Sequence, residues 1–411
     1  MSERLQAFRF ELRPDGAQCR AMARLGGSTR FVFNRALALQ QARHEKGEPH
    51  LGYAALCREL TLWRHDPETH WLADAPVHPL QQVFKDLRRA YVNFFEGRAD
   101  FPVFKKKHRS RASFRFPDPR QITLDAGTGR IRLPRLGWMR YRASRDVLGE
   151  VRSVSVSERS GRWFVSILTR REVAEPAPQA MPPAPESVIG IDVGIARFLT
   201  DSDGAFEPPC PCLVPLEARI ARANRRLARM RKGGCNWKKQ KARINRLHAR
   251  LGDTRRDYLH KISTTIGKSH AIVCIEDLRV GPMSRSAKGT VAAPGTNVAA
   301  KSGLNRSILR QGWGEFRRQL DYKLAWAGGR LEVLPPRNTS RTCPDCAHVA
   351  RENRPSRARF RCVECGHEGH ADHVAAINIR RAGLARLACE VSGEVMPPAA
   401  GTLRGDRSAL V

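Results

Sequence analysis

Two cysteine pairs, Cys343-x2-Cys346 and Cys362-x2-Cys365, are separated by fifteen residues and constrain this chain more than any other local feature. Four thiolates at that spacing place two sulfur pairs on facing knuckles, which suits one tetrahedral zinc ion. A closed four-sulfur site is structural, because it leaves no open position for a reacting water. His348, His367 and His370 lie near enough in sequence to compete as ligands. The other cysteines give no comparable pattern: Cys210-Pro211-Cys212 is a weak pair, and Cys19, Cys57, Cys235, Cys274 and Cys389 are isolated. The N-terminus opens no signal peptide, so disulfides are not expected.

Charge narrows the class of partner. Among 411 residues, 73 Lys and Arg stand against 40 Asp and Glu, a net charge of +33. Such an excess calls for a polyanion. A membrane surface is the competing partner, but the chain has no long apolar span and its basic segments carry no strong apolar face. The length suffices for two to four domains with a sizeable core.

Read in order, Phe8, Phe10 and Leu12 alternate with charged residues as a half-buried strand ending at Pro14-Asp15-Gly16. Helical patterns follow: one breaking at Gly26-Gly27 with Ser28 capping its successor, one from about Tyr53 to Trp63, and one over Leu80–Phe94. Phe101–Arg109 mixes aromatics with Lys105, Lys106 and Lys107, a run placed to meet phosphate. Strand patterns at 122–124, 131–133, 151–156 and 163–168 predict a small barrel or sheet that the N-terminal strand completes, with the helices as an insertion. The proline-rich segment 173–187 reads as a linker.

The second half opens with the apolar run Val188–Val193, which carries Asp192 between Gly190 and Gly194. A carboxylate there is costly to desolvate unless a cation meets it. The glycines leave room for a bulky group or a nucleic-acid backbone. Taken alone, Asp192 also fits a turn residue bonded to its own backbone. Between Glu217 and Asp257, fifteen Lys or Arg face three acids around Gly233-Gly234. This predicts a basic helical hairpin over 216–258, with Arg225, Arg226 and Arg229 following a phosphate backbone. Ala271–Glu276 is a second buried strand ending in a carboxylate, 281–303 a Gly/Ser/Ala loop, Ile308–Trp326 a helix, and Arg330–Leu334 a strand. Asp372 stands at a small-residue helix start, where a first-turn acid also offsets the helix dipole. Acids from two strands and a helix can meet above one sheet edge and share two Mg²⁺ ions.

The ordered set of Gly190–Gly194, Ile275-Glu276-Asp277-Leu278, Thr339–Cys346 and Ala371-Asp372 through Asn378-Ile379 resembles the TnpB (OrfB) proteins of insertion sequences, relatives of the type V CRISPR effectors. Gly312–Leu320 and, more loosely, Arg30–Asn34 extend the likeness over nearly the whole chain. Val374 departs from it, where many relatives carry Asn.

The resemblance implies a multidomain α+β protein. Its parts would be a wedge β-barrel (1–16 and 118–172), an inserted helical recognition module (17–117) and the linker 173–187. An RNase H-like, RuvC-type α/β nuclease domain (188–338 and 370–389) would follow, interrupted by a zinc ribbon (339–369) and ending in a disordered tail (390–411). It implies catalytic, Mg²⁺-binding Asp192, Glu276 and Asp372, and zinc-binding Cys343, Cys346, Cys362 and Cys365. Implied partners are a guide RNA from the transposon end and a double-stranded DNA target, gripped by a monomeric protein at the nucleoid of a prokaryotic cytoplasm. Guided cleavage next to a short target-adjacent motif is then the expected activity, with Tyr53 and Gln81 as candidates for reading that motif. A nuclease-inactive, RNA-guided repressor and a transposase accessory protein are the alternatives.

Overall fold

The computed structural model describes residues 2–107, 109–174 and 185–392, so most of the expected linker, and the tail beyond 392, lie outside the described residues. The described residues divide between two compact units, one from the chain up to residue 174 with 231–249, the other from 185–230 with 250–392.

In the first unit, strand β1 (Ser2–Arg13) leads into helices α1 (Gly16–Glu45), α2 (Tyr53–His65) and α3 (Val77–Phe95). Strands β2 (Ser113–Phe116), β3 (Thr123–Asp125), β4 (Arg130–Leu133), β5 (Gly137–Tyr141), β6 (Glu150–Arg159) and β7 (Arg162–Val173) follow. They form one sheet in the order β2-β6-β7-β1-β5-β4-β3. The first strand therefore sits in the middle of a sheet whose other members come a hundred residues later, and the helices are an insertion. No closed barrel forms among the described residues: β2 and β3 are the two edges. The period-2 pattern of β1 buries Phe8, Phe10 and Leu12 in the same core as Met22 and Leu25 of α1 and Phe84 and Leu87 of α3.

Gly26-Gly27 does not break α1. Its N-cap is Asp15, whose side chain accepts from the Gln18 amide while Gln18 reciprocates. A Cβ at Gly26 would lie 2.8 Å from that of Ala112, so this glycine serves a close approach instead of a turn. Ser28 caps nothing; its hydroxyl donates back to the Arg24 carbonyl.

The second unit is built on β8 (Val188–Val193), β9 (Leu199–Asp201), β10 (Phe206–Glu207), β11 (Ile272–Glu276) and β12 (Arg330–Leu334). Their order is β10-β9-β8-β11-β12. β8, β9 and β10 pair antiparallel, whereas β11 runs parallel to both β8 and β12. The basic stretch lies on α4 (Leu213–Ala228) of this unit and on α5 (Cys235–Ser269), whose first turns up to residue 249 count with the first unit, and Gly233 at φ +85° stands between them.

The segment 281–303 is not wholly a loop, since α6 (Val280–Met283) and the start of α7 (Val298–Gln311) fall within it. The helix expected over Ile308–Trp326 is two, α7 and α8 (Trp313–Ala327), divided at Gly312 with φ +76°. Strands β13 (Arg359–Arg361) and β14 (Glu368–His370) pair in the cysteine-rich segment. Helix α9 (Ala371–Ser392) closes the described chain.

Both faces of the five-stranded sheet are covered, which is why β8 and β11 read as continuous apolar runs. Ile189, Ile191, Val273 and Ile275 face Leu259, Phe316 and Leu320. Val188, Ile272 and Cys274 face Ile379 and Leu387 of α9.

Candidate active site

Alternation along these strands aims the acids. Asp192 falls in the set of Val188 and Gly190, and Glu276 in that of Ile272 and Cys274, so both belong to the α9 face. Their strands are parallel neighbours in a register that pairs Ile191 with Ile275, one residue before each acid. Gly190 then decides how near α9 comes. A Cβ there would stand 2.2 Å from the Ala376 carbonyl oxygen and 2.6 Å from the Arg380 nitrogen. The room beside Asp192 that the sequence offered to a ligand is thus filled at Gly190 by the α9 backbone, and at Gly194 by the Arg197 carbonyl. Asp372, in the first turn of α9, is thereby brought to the same end of the sheet.

Asp192 feels the other two carboxylates. Asp192 is pushed up to about 8, first by burial and then by the charges of Glu276 and Asp372. Burial also raises Glu276, against a hydrogen bond from the Thr339 hydroxyl. Arg354 is the cation that opposes them: it lies 3.7 Å from Asp372 and its charge works against both upward shifts. Opposite Asp192 on β9 is Thr200, whose buried hydroxyl has no hydrogen-bond partner among the described residues. Excess negative charge beside an unsatisfied hydroxyl fits a hydrated divalent cation, which takes oxygen ligands and waters. Asp277 is turned away, paired with Arg317 at 2.6 Å.

The shift of Asp192 has a sign. Unfolded, it ionises near 3.8; folded, it holds its proton to about 8. Between those values the native state binds the extra proton, so metal-free stability falls as pH rises, by at most about 1.4 kcal/mol per unit. Asp192→Asn should flatten that slope in a thermal-melt series from pH 5 to 8 recorded in chelator. A slope unchanged in the variant contradicts the shared-charge account.

Beyond β12, the four cysteines come together, their sulfurs all within 4.8 Å. Cys343 and Cys365 are 3.5 Å apart, and Cys346 and Cys362 3.6 Å. These are near the roughly 3.8 Å edge of a zinc–thiolate tetrahedron and far beyond a disulfide. The knuckles match: the Cys343 amide donates to the His348 carbonyl and the Cys362 amide to that of His367. Backbone amides at Cys365 and Glu364 help to pull the Cys362 thiol down to about 6, while Cys346 and Cys365, crowded by the other sulfurs, are pushed up. The histidines stand outside the cluster, His367 against Asp345 at 2.6 Å and His370 accepting from the Asp372 amide.

One knuckle turns at Gly366, φ +76°, the other at Ala347, φ +60°. An L-residue is strained there. Ala347→Gly should therefore stabilise the segment by a few tenths to about 1 kcal/mol, once the greater freedom of glycine in the unfolded chain is subtracted. The check is the chelator concentration at which zinc leaves; an earlier release would show that the alanine is not strained.

Sequence reasoning missed Arg354 and its support. Fully buried Asn353 donates to the carbonyls of Arg341 and His348 and accepts from the Val363 amide, tying both knuckles together. Arg354, the next residue, is held toward the acids. Asn378 of α9 donates to the carbonyls of Thr339 and Thr342, fixing the stem of the same segment. A polar pair at 353–354 gives no spacing signal, and its role becomes visible only once the cysteines are drawn together.

The remaining candidates stand on other elements. Arg225, Arg226 and Arg229 are exposed and, with Arg222 and Met230, line a cavity of about 420 Å³. In the first unit, Lys106 and Lys107 are exposed, whereas Lys105 is partly buried with its Nζ 3.8 Å above the Phe33 ring. Tyr53 is 37% exposed beneath Lys85, and Gln81 is half-buried on α3.

Residues 168–287 match a family model described as "Probable transposase" of the OrfB type, residues 313–379 a "Cas12f1-like, TNB domain", and residues 1–49 a "Helix-turn-helix domain". That last stretch holds one strand and, from Gly16, an unbroken helix. The chain is 50% identical over 388 residues to the "Putative RNA-guided DNA endonuclease InsQ" of Escherichia coli K12, covering 94% of each. It belongs to the OrfB (TnpB) family of insertion-sequence proteins. A relative from Streptomyces pristinaespiralis, also named "Putative RNA-guided DNA endonuclease", is 32% identical over 100% of this chain and 96% of its own. Among solved structures, a Cas12f1–sgRNA–target DNA complex aligns with TM-score 0.48 and 13% identity, covering 92% of this chain and 99% of that one. No described helix is long and apolar enough to cross a membrane.

Proposed function

We propose that this OrfB protein is an RNA-guided DNA endonuclease of the RuvC type, cutting phosphodiester bonds with Mg²⁺. The reading is carried by Asp192, Glu276 and Asp372, delivered to one face of the sheet by adjoining strands and a helix, with Asp192 raised to about 8 by burial and then by the other two acids. These three side chains would hold two Mg²⁺ ions, which when bound supply an activated water and stabilise the leaving oxygen. Arg354, 3.7 Å from Asp372, is placed to meet a phosphate oxygen brought to the acids. Cys343, Cys346, Cys362 and Cys365 would bind one structural zinc that keeps Arg354 there.

The polycation supplies affinity without reading sequence, which suits a protein whose target is chosen by base pairing. A repressor without nuclease activity has no use for three acids held together in this way. The test is expression with the RNA from the end of its own element, then sequencing of bound RNA and of cleaved plasmid. RNA bound and plasmid cut in Mg²⁺ support the endonuclease; RNA bound with no cut at any divalent ion supports the repressor.

Arg225, Arg226 and Arg229 belong to the sequence-independent grip. Neutralising all three should lower the slope of log affinity against log salt by about two to three units, since each phosphate contact contributes nearly one. The choice of adjacent motif should stay as it is, and mismatched targets should be tolerated less. A salt titration on matched and mismatched DNA checks this; an unchanged slope or a changed motif rules out a backbone grip.

A further inference from the structure

We propose that a cavity in the first unit holds one unstacked nucleotide of the bound RNA, with its base against Trp71 and its phosphates on Arg24, Arg30 and Arg135. The proposal rests on the RNA-guided reading above and adds a site to it. The cavity, about 720 Å³, lies between α1, the turn around residues 71–76, and the β4–β5 connection.

Three kinds of group converge there. Trp71 is 40% exposed yet held by a T-shaped contact with Phe31, ring centroids 5.1 Å apart. It therefore offers a rigid aromatic surface to solvent. Arg24, Arg30 and Arg135 also line the cavity, and none of them has an ion pair among the described residues. Asp74 adds one carboxylate, the acceptor that a base amino group requires. Aromatic face, guanidinium groups and a lone acceptor are what a splayed-out nucleotide uses, and single-stranded RNA offers such nucleotides where a duplex does not.

The walls are held in shape. Arg64 donates to the carbonyls of Leu72, Ala73 and Ala75, fixing the turn that carries Trp71 and Asp74. Gln18 donates to the carbonyls of Leu136 and Trp138, fixing the connection that carries Arg135. Within that connection Arg135 has φ +62°. Glycine would be relaxed there, and a long cationic side chain kept at a strained position points to use of the side chain.

That strain makes the test sharp. Full-length protein is bound to a transcript of the end of its own insertion element, and affinities are compared for wild type, Arg135→Gly, Trp71→Ala and Trp71→Phe. Arg135→Gly should melt no lower than wild type yet bind the transcript more weakly, with a salt slope smaller by about one unit. Trp71→Ala should lose about tenfold, and Trp71→Phe should recover most of it. Acylation of RNA 2′-hydroxyls should show a single-stranded position whose reactivity changes on binding wild type and not on binding Trp71→Ala. Variants that bind the transcript like wild type, or that weaken only the loaded complex's grip on DNA, overturn the site while leaving RNA guidance standing. A wild type that binds no transcript overturns both.

Discussion

Replacing Asp192 by Ala should remove DNA cleavage while guided binding persists. Asp192 stands on one face of the sheet where the charges of Glu276 and Asp372 reach it, so losing this acid lowers the charge that would attract Mg²⁺. The drop in cleavage rate should be at least about a hundredfold, the loss that removing a single charge-stabilising group already causes. Binding should change little, because 73 Lys and Arg supply it and one acid opposes it. The measurement is single-turnover cleavage and filter binding on the same RNA-loaded preparation. Cleavage by Asp192→Ala at the wild-type rate removes this carboxylate from the active site.

The second large effect is expected in the cysteine segment. Cys343→Ser should release about one equivalent of zinc and unfold the segment, since the binding energy of a four-thiolate site is folding energy, roughly 10–16 kcal/mol in isolated zinc fingers. The consequence reaches the acids. Arg354 lies between Cys346 and Cys362, and Thr339, which donates to Glu276, lies at the stem. Loss of zinc should therefore cost cleavage as well as protease resistance within 339–369. Elemental analysis and limited proteolysis check the two halves. Wild-type protein that contains no zinc contradicts the assignment.

Much of this site could be read before any fold was known. β8 and β11 are apolar throughout because both faces are covered, so a carboxylate in or at the end of each run stands out. The cysteines were legible from spacing alone. Glycines were less so, because the same residue type serves opposite ends. Gly26 sits inside an unbroken helix to admit Ala112, Gly312 ends one at positive φ, and Gly190 lets α9 approach β8. Local sequence does not say which neighbour will arrive. Arg354 was hidden for a related reason, since its place beside the acids depends on Asn353 and on both knuckles. The open sheet of the first unit differs from the expected barrel because alternation specifies pairing faces and leaves closure to strand number and tilt.

The most direct measurement is retargeting. Protein loaded with its element-end RNA is given a new guide segment and a plasmid carrying the matching site, with Mg²⁺. The endonuclease reading predicts that the cut moves with the guide, disappears without RNA or metal, and is absent in Asp192→Ala. A cut that stays in place when the guide changes, or that forms without RNA, contradicts it.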